Sequence, residues 1–104
     1  MVHNQLTKFN WLPLYPENIE IGEYSDIGAF TLLQGQYGIR IGKYAQIGGG
    51  CCIYSYDSER GKRGPVVIGD YALIGAGCVI LPGVTISNGA KVRANSVVFR
   101  DIKQ

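Results

Sequence analysis

The sequence predicts an all-β fold, a parallel β-helix of about four triangular coils with one projecting corner loop. Two observations predict it: an aliphatic residue returns at intervals of six, and a glycine follows it directly in most of the early repeats. The aliphatic residues form four groups of three: Ile21, Ile27 and Leu33; Ile41, Ile47 and Ile53; Ile68, Ile74 and Ile80; Ile86, Val92 and Val98.

A period of six residues is neither the 3.6 of an α-helix nor the two of a simple strand, so each repeat is a short strand followed by a corner. Three repeats close a triangular coil. Each strand then pairs only with the equivalent strand of the next coil, about 4.8 Å along the axis. The chain is therefore expected to wind into three flat parallel sheets.

The composition inside each repeat agrees with this geometry. A small residue stands four positions after most of the aliphatic ones, and we expect both to point into the narrow prism. The small residues are Ser25, Thr31, Ala45, Cys51, Ala72, Cys78, Val84, Ala90 and Ser96. The glycine that follows the aliphatic residue occupies a corner where a larger side chain would be crowded.

Two interruptions of the period locate irregular corners. Between Leu33 and Ile41 the frame gains two residues, which widens one corner. Between Ile53 and Ile68 the interval exceeds six by nine residues, more than a coil can hold. The segment 54–65 is polar, charged and bounded by glycine, as expected for a projecting loop, and such insertions often form binding sites.

The repeats extend over nearly the whole chain, which predicts a single domain, 1–104. Residues 1–17 are expected to form an N-terminal cap over the first coil. Trp11 provides apolar surface for such a cap, whereas Pro13 and Pro16 exclude a helix there.

Composition narrows the possible partners and compartment. A net charge of +2 is too small to indicate nucleic-acid binding, and no apolar stretch is long enough for a membrane or signal segment. The protein is therefore expected to be cytoplasmic. Because His3 is the only histidine and no Cys-x-x-Cys is present, no metal site is expected. Cys51 and Cys78 should stack inside the prism as packing thiols.

The segment PVVIGDYALIGAGCVILPGVTISNGAKVRANSVVFRDI, Pro65 to Ile102, resembles the C-terminal coils of the hexapeptide-repeat acyltransferases. Within that family it is most similar to the galactoside and maltose acetyltransferases and to the nucleotide-aminosugar N-acetyltransferases. The resemblance extends back through IEIGEYSDIGAF. It implies a left-handed coil, acetyl coenzyme A as co-substrate, a sugar acceptor, and a homotrimer with the donor in a groove between subunits.

The resemblance also implies positions for the donor. Gly75 and Ala76 match the place where a backbone group meets the pantetheine arm, and Ala94 matches the corresponding place one coil later. Phe99 and Arg100 match a pair whose basic member lies near the nucleotide. Four basic residues fall in the last fourteen positions, which suits a ligand with several phosphates.

The family's general base is a histidine in or next to the corner loop, and this chain has none there. The repeats place Tyr56 or Ser58 at that position. Asp57, between them, could orient an amine or act as the base. A phenol with a pKa near 10 is a poor base at neutral pH.

Further candidates for contact with the acceptor are Gln34 and Gln36, which flank the widened corner, and Arg63 in the projecting loop. The apolar outward residues Tyr24, Phe30, Tyr44 and Tyr71 favour the homotrimer.

A missing base favours an amine acceptor, because a neutral amine attacks a thioester before it loses its proton, whereas an alcohol must lose its proton as it attacks. The expected function is acetyl transfer to an amino group of a sugar, particularly a nucleotide-linked one. Two alternatives stay open: a sugar O-acetyltransferase, and a trimeric β-helix that binds or scaffolds without catalysis. γ-Class carbonic anhydrases share the repeat but need three zinc-binding histidines.

Overall fold

A computed structural model describes residues 1–104 and confirms the all-β solenoid of about four coils. The chain contains fifteen strands and one short 3₁₀ helix, Pro16–Asn18. The first seven strands are β1 (Leu12–Leu14), β2 (Ile19–Ile21), β3 (Asp26–Ile27), β4 (Leu32–Gln34), β5 (Ile39–Ile41), β6 (Gln46–Ile47) and β7 (Cys52–Tyr54). The remaining eight are β8 (Tyr56–Asp57), β9 (Lys62–Arg63), β10 (Val66–Ile68), β11 (Leu73–Ile74), β12 (Val79–Ile80), β13 (Thr85–Ile86), β14 (Lys91–Val92) and β15 (Val97–Val98).

Three parallel sheets form the faces of the prism. Sheet A has the order β1-β4-β7-β12-β15, sheet B the order β2-β5-β10-β13, and sheet C the order β3-β6-β11-β14. Equivalent repeats pair in register, so that Ile41 lies between Ile21 and Ile68 in sheet B. The three members of each aliphatic group therefore belong to sheets B, C and A in turn.

The core consists of the inward aliphatic columns and the small residues beside them. Leu33, Ile53 and Ile80, in one column of sheet A, are fully buried. Cys51 and Cys78 are fully buried as well and are free thiols, which confirms their expected inward position. No second large side chain fits at these corners, because the three sheets approach one another closely.

One glycine shows why the corners need a hydrogen as side chain. A Cβ atom added to Gly75 would lie 2.4 Å from the backbone nitrogen of Ala94 in the next coil. Real Cβ contacts are never this short, so the coil spacing itself selects glycine at this place.

The corner between sheets B and C carries an aromatic ladder. Tyr24, Tyr44 and Tyr71 occupy equivalent positions of successive coils, each with a left-handed backbone (φ 59°, 56° and 60°). Their rings stack, with centroids 5.2 Å apart for the first pair and 5.1 Å for the second. A bulky side chain in this conformation is strained, and stacking between the rings offsets part of that cost.

The N-terminal segment differs from the expected cap, because Leu12–Leu14 pairs with β4 as the first strand of sheet A. Pro13 is buried opposite Leu33, in the column that aliphatic residues otherwise fill. Its missing N–H suits an edge strand. The residues before it complete the edge, since Asn4 donates its backbone N–H to the Pro13 carbonyl at 2.8 Å.

The projecting loop is a small hairpin. Strands β8 and β9 pair antiparallel, with Tyr56 opposite Arg63 and Asp57 opposite Lys62. Gly61 supplies a left-handed turn residue (φ 64°) near the tip. The hairpin projects from the corner between sheets A and B in the third coil. No helix in the structure is long and apolar enough to cross a membrane.

Candidate functional site

A groove of about 450 Å³ separates the hairpin from the outer face of sheet A. Its floor is largely apolar and is formed by Tyr54, Val79, Leu81 and Val97. Its wall is the polar first half of the hairpin, residues Tyr56, Asp57, Ser58, Glu59 and Arg60. The two catalytic candidates, Tyr56 and Asp57, are thus brought together beside the end of a parallel sheet.

The carboxylate of Asp57 is engaged within the loop. Arg60 donates from Nε to Asp57 Oδ2 at 3.2 Å, and the backbone N–H of Glu59 donates to Oδ1 at 3.1 Å. Only 15% of the Asp57 side chain is exposed, against 48% for Arg60. These contacts order the turn, which favours the orienting role of Asp57 over its role as base.

Ser55 anchors the hairpin to the preceding coil and was missed from the sequence. Its hydroxyl is fully buried and lies 2.7 Å from the carbonyl oxygen and 3.0 Å from the side-chain Oε1 of Gln34. It also accepts the backbone N–H of Tyr37 at 2.9 Å. The only sequence signal was a small residue where the period breaks, and many loops begin with one.

Three of the four predicted acceptor residues lie on the other side of the hairpin. Gln34 donates from Nε2 to Gln36 Oε1 at 3.1 Å, and Arg63 lies over the ring of Tyr37 at 5.4 Å. None of Gln34, Gln36 and Arg63 lines the groove, whereas Ser58 does. The structure therefore separates Ser58 from the other three candidates.

A second hollow, of about 480 Å³, lies at the C-terminal end of the prism. It is lined by Lys91, Val92, Arg93, Ser96, Val97, Val98, Phe99, Arg100 and Ile102. The guanidinium of Arg100 lies over the Phe99 ring at 5.2 Å. Because Val97 lines both cavities, the groove beside the hairpin and this basic hollow adjoin.

The remaining donor candidates lie on the corner between sheets C and A. Ala76 and Ala94 follow one another along the axis, and the backbone N–H of Asn95 donates to the Ala76 carbonyl at 2.9 Å. With Gly75 they form a row of small residues that leaves backbone atoms accessible. All five predicted donor residues therefore lie along sheet A or at its border.

Tyr54, on the groove floor, was not among the predicted site residues. Burial raises the pKa of its phenol above the ordinary value of 10.0, and Cys52 and Asp57 nearby add to the rise. The phenol therefore keeps its proton and can donate a hydrogen bond throughout the physiological range. Within the structure, no group of three His, Cys, Asp or Glu side chains lies close enough together to hold a metal ion.

Comparison with known families and structures agrees with this arrangement. A family model described as bacterial transferase hexapeptide (six repeats) matches residues 65–100. A comparison with curated proteins gives no match.

Two solved structures are similar over most of this chain. The first is a hexapeptide-repeat-containing acetyltransferase from Vibrio cholerae O1 biovar eltor, complexed with acetyl coenzyme A: identity is 30%, the TM-score is 0.81, and the match covers 86% of this chain and 54% of that one. The second is a maltose O-acetyltransferase from Clostridium difficile 630, with 31% identity, a TM-score of 0.80, and coverage of 88% and 54%.

The chain thus spans about half the length of these solved relatives. The resemblance inferred from the sequence is confirmed: residues 65–100 carry the hexapeptide repeat of bacterial transferases, and the chain has the fold of the hexapeptide-repeat acetyltransferases.

Proposed function

We propose that the protein is an acetyl-coenzyme-A-dependent acetyltransferase that acts on the amino group of a sugar, particularly a nucleotide-linked amino sugar. The observation that carries the proposal is the junction of the groove with the basic hollow at Val97. One cavity offers polar groups beside an apolar floor, and the other offers positive charge. A thioester with a long phosphate-bearing arm requires both.

The basic hollow suits the phosphates of the donor. Lys91, Arg93 and Arg100 surround it, and guanidinium groups bind phosphate through paired, charge-assisted hydrogen bonds. The exposed Phe99 ring, covered on one side by Arg100, offers a stacking surface for adenine. That a similar acetyltransferase was solved with acetyl coenzyme A supports this choice of donor.

The groove suits an amine acceptor because it contains no histidine. His3, the only one, accepts the backbone N–H of Tyr15 at 2.8 Å in the N-terminal segment. In the proposed reaction the amine lone pair attacks the thioester carbonyl, a C–N bond forms, and the C–S bond breaks. The thiolate of coenzyme A leaves, and the ammonium proton of the product then passes to it or to water. Proximity and orientation supply most of the rate.

O-Acetylation is the second candidate, and the similarity to a maltose O-acetyltransferase favours it. A hydroxyl acceptor would need a base, for which Asp57 would first have to leave Arg60. The third candidate, a β-helix that binds without catalysis, would retain the fold but show no acetyl transfer.

A homotrimer is part of the proposal, with sheet A as the contact surface. The stacking of Tyr24, Tyr44 and Tyr71 on one another engages much of their ring surface, so they are weaker evidence for a partner than the sequence indicated. The outward side chains of sheets B and C are mainly polar or charged. Those of sheet A are mainly apolar: Leu12, Leu14, Leu32, Tyr54, Val79, Leu81, Val97 and Phe99. Such a face is typical of an interface.

We also place the activity in the cytoplasm. Three free cysteines, two of them buried in the prism, fit a reducing compartment.

The experiment that tests the function compares acetyl acceptors. The purified protein is incubated with acetyl coenzyme A and either amino sugars and their nucleotide conjugates or the matching hydroxyl sugars, and the products are identified by mass spectrometry. Transfer to the amine is expected. Transfer to hydroxyl groups alone would establish O-acetylation instead, and no transfer with saturable donor binding would favour the binding module.

A further inference from the structure

We infer that Glu59 is the residue that binds the ammonium group of the acceptor and takes its proton before acetyl transfer. The inference rests on the proposed function and deepens it, because it assigns the acceptor to the class of cationic amines. Glu59 was not among the residues that the sequence pattern indicated.

The first step concerns the charges that line the groove. They are the carboxylates of Asp57 and Glu59 and the guanidinium of Arg60. Asp57 and Arg60 form an ion pair at 3.2 Å, so they neutralise each other. Glu59 makes no salt bridge, and only its backbone N–H enters the hydrogen bonds of the loop. The groove therefore has one uncompensated charge, and that charge is negative.

The second step concerns the kind of acceptor that this charge selects. A carboxylate attracts an ammonium group and repels a phosphate or carboxylate at the same distance. The basic residues of the loop that could have offset it lie elsewhere: Lys62 does not line the groove, and Arg63 lies over Tyr37. An acceptor's phosphate would therefore lie outside the groove, with the amine inside.

The third step is the chemistry. An amino sugar arrives largely as its ammonium form, which has no lone pair for attack. Transfer of one proton from nitrogen to the Glu59 carboxylate gives a neutral amine and a neutral carboxylic acid. The amine then attacks the thioester as above, and Glu59 returns its proton to water. No oxidant or further reactant is needed.

The test uses three proteins: wild type, Glu59→Gln, and Glu23→Gln as a control. Glu23 is an exposed glutamate at the corner between sheets B and C, away from the groove, so its substitution makes the same change in net charge. With methyl glucosaminide as acceptor, Glu59→Gln should raise the KM for the amine about tenfold, as expected for loss of a charged hydrogen bond. It should leave the KM for acetyl coenzyme A unchanged and move the pH optimum upward. Glu23→Gln should behave like wild type.

A binding measurement keeps the inference separate from the proposed function. Methyl glucosaminide is titrated into each protein without donor and followed by NMR, with methyl glucoside and glucosamine 6-phosphate as comparison ligands. We expect wild type to bind the amine more tightly than the other two, and Glu59→Gln to lose that preference.

Equal binding or equal kinetics of wild type and Glu59→Gln would overturn the inference while leaving acetyl transfer intact. The same loss in Glu23→Gln would overturn it too, because the effect would then be long-range. Failure to bind acetyl coenzyme A would instead count against the proposed function.

Discussion

The thiol of Cys51 donates a hydrogen bond to the backbone carbonyl of Gly75, one coil further along the axis, with a sulfur to oxygen distance of 3.3 Å. The same relationship recurs at the same corner. Thr31 donates to the Gly48 carbonyl at 3.1 Å, and Cys78 to the Arg93 carbonyl at 3.0 Å. The small inward residue therefore links successive coils as well as filling space, and a hydroxyl serves as well as a thiol.

Replacing Cys51 should distinguish packing from hydrogen bonding. Cys51→Val keeps the volume but removes the donor, and we expect it to lower the free energy of unfolding by about 1–2 kcal/mol. Cys51→Ser retains a donor, as Thr31 does in the coil before, and should cost less. Urea unfolding measures both. If the valine variant were as stable as the serine variant, the linking role would be refuted.

Stability should also decline in the alkaline range. Burial raises the pKa of the Cys51 thiol above 9.0, although the backbone amide of Cys78 opposes the rise. The folded state then holds this proton more tightly than the unfolded state does. The contribution is fully present below the unfolded pKa near 9 and is lost as the pH rises through the folded pKa. The raised pKa of Tyr54 acts in the same direction above pH 10.

Chemical unfolding at a series of pH values from 7 to about 11 measures this decline. Cys51→Ser should make the curve shallower between the first two pKa values, whereas Cys52→Ser, at a half-buried outward position, should not. A curve that is flat in the wild type would contradict the assignment.

The role of Asp57 can be separated from that of Tyr56 by kinetics. Asp57→Asn breaks the ion pair with Arg60 and loosens the groove wall, so the KM for the acceptor should rise about two- to fivefold, the range expected for a partly exposed pair. The kcat should change less. Tyr56→Phe should retain most of the activity, because no proton transfer involves that phenol. A collapse of kcat in Asp57→Asn would identify Asp57 as the base after all.

Sheet A should be the surface that joins the subunits. Val79→Glu puts a charge at the centre of its outer face and should convert the trimer to a monomer. Leu73→Glu makes a similar change on sheet C, where the side chain is 41% exposed among polar neighbours, and should leave the trimer intact. Sedimentation velocity measures both. A wild type that is monomeric at micromolar concentration would exclude the trimer and any site shared between subunits.

The fold followed from the sequence because the period of six depends on the coil alone. The strand formed by Leu12–Leu14 escaped notice, since Pro13 stands where the pattern expects an aliphatic residue. The site was harder to predict, because its parts meet only through the path of the loop. Nothing in the sequence shows that the hairpin turns Arg63 toward Tyr37 and Arg60 toward Asp57, or that Ser55 holds it there. The free carboxylate of Glu59 becomes recognisable only once its neighbours are seen to be paired.

Binding of acetyl coenzyme A is the most direct test of the proposed function. Calorimetric titration into the wild type should show saturable binding with one donor per subunit. Arg100→Ala should weaken it, since that guanidinium lines the basic hollow, whereas Arg40→Ala on sheet B should not. No detectable heat at about 1 mM donor, a concentration that would reveal even a weak complex, would show that this fold has no donor site in the present chain.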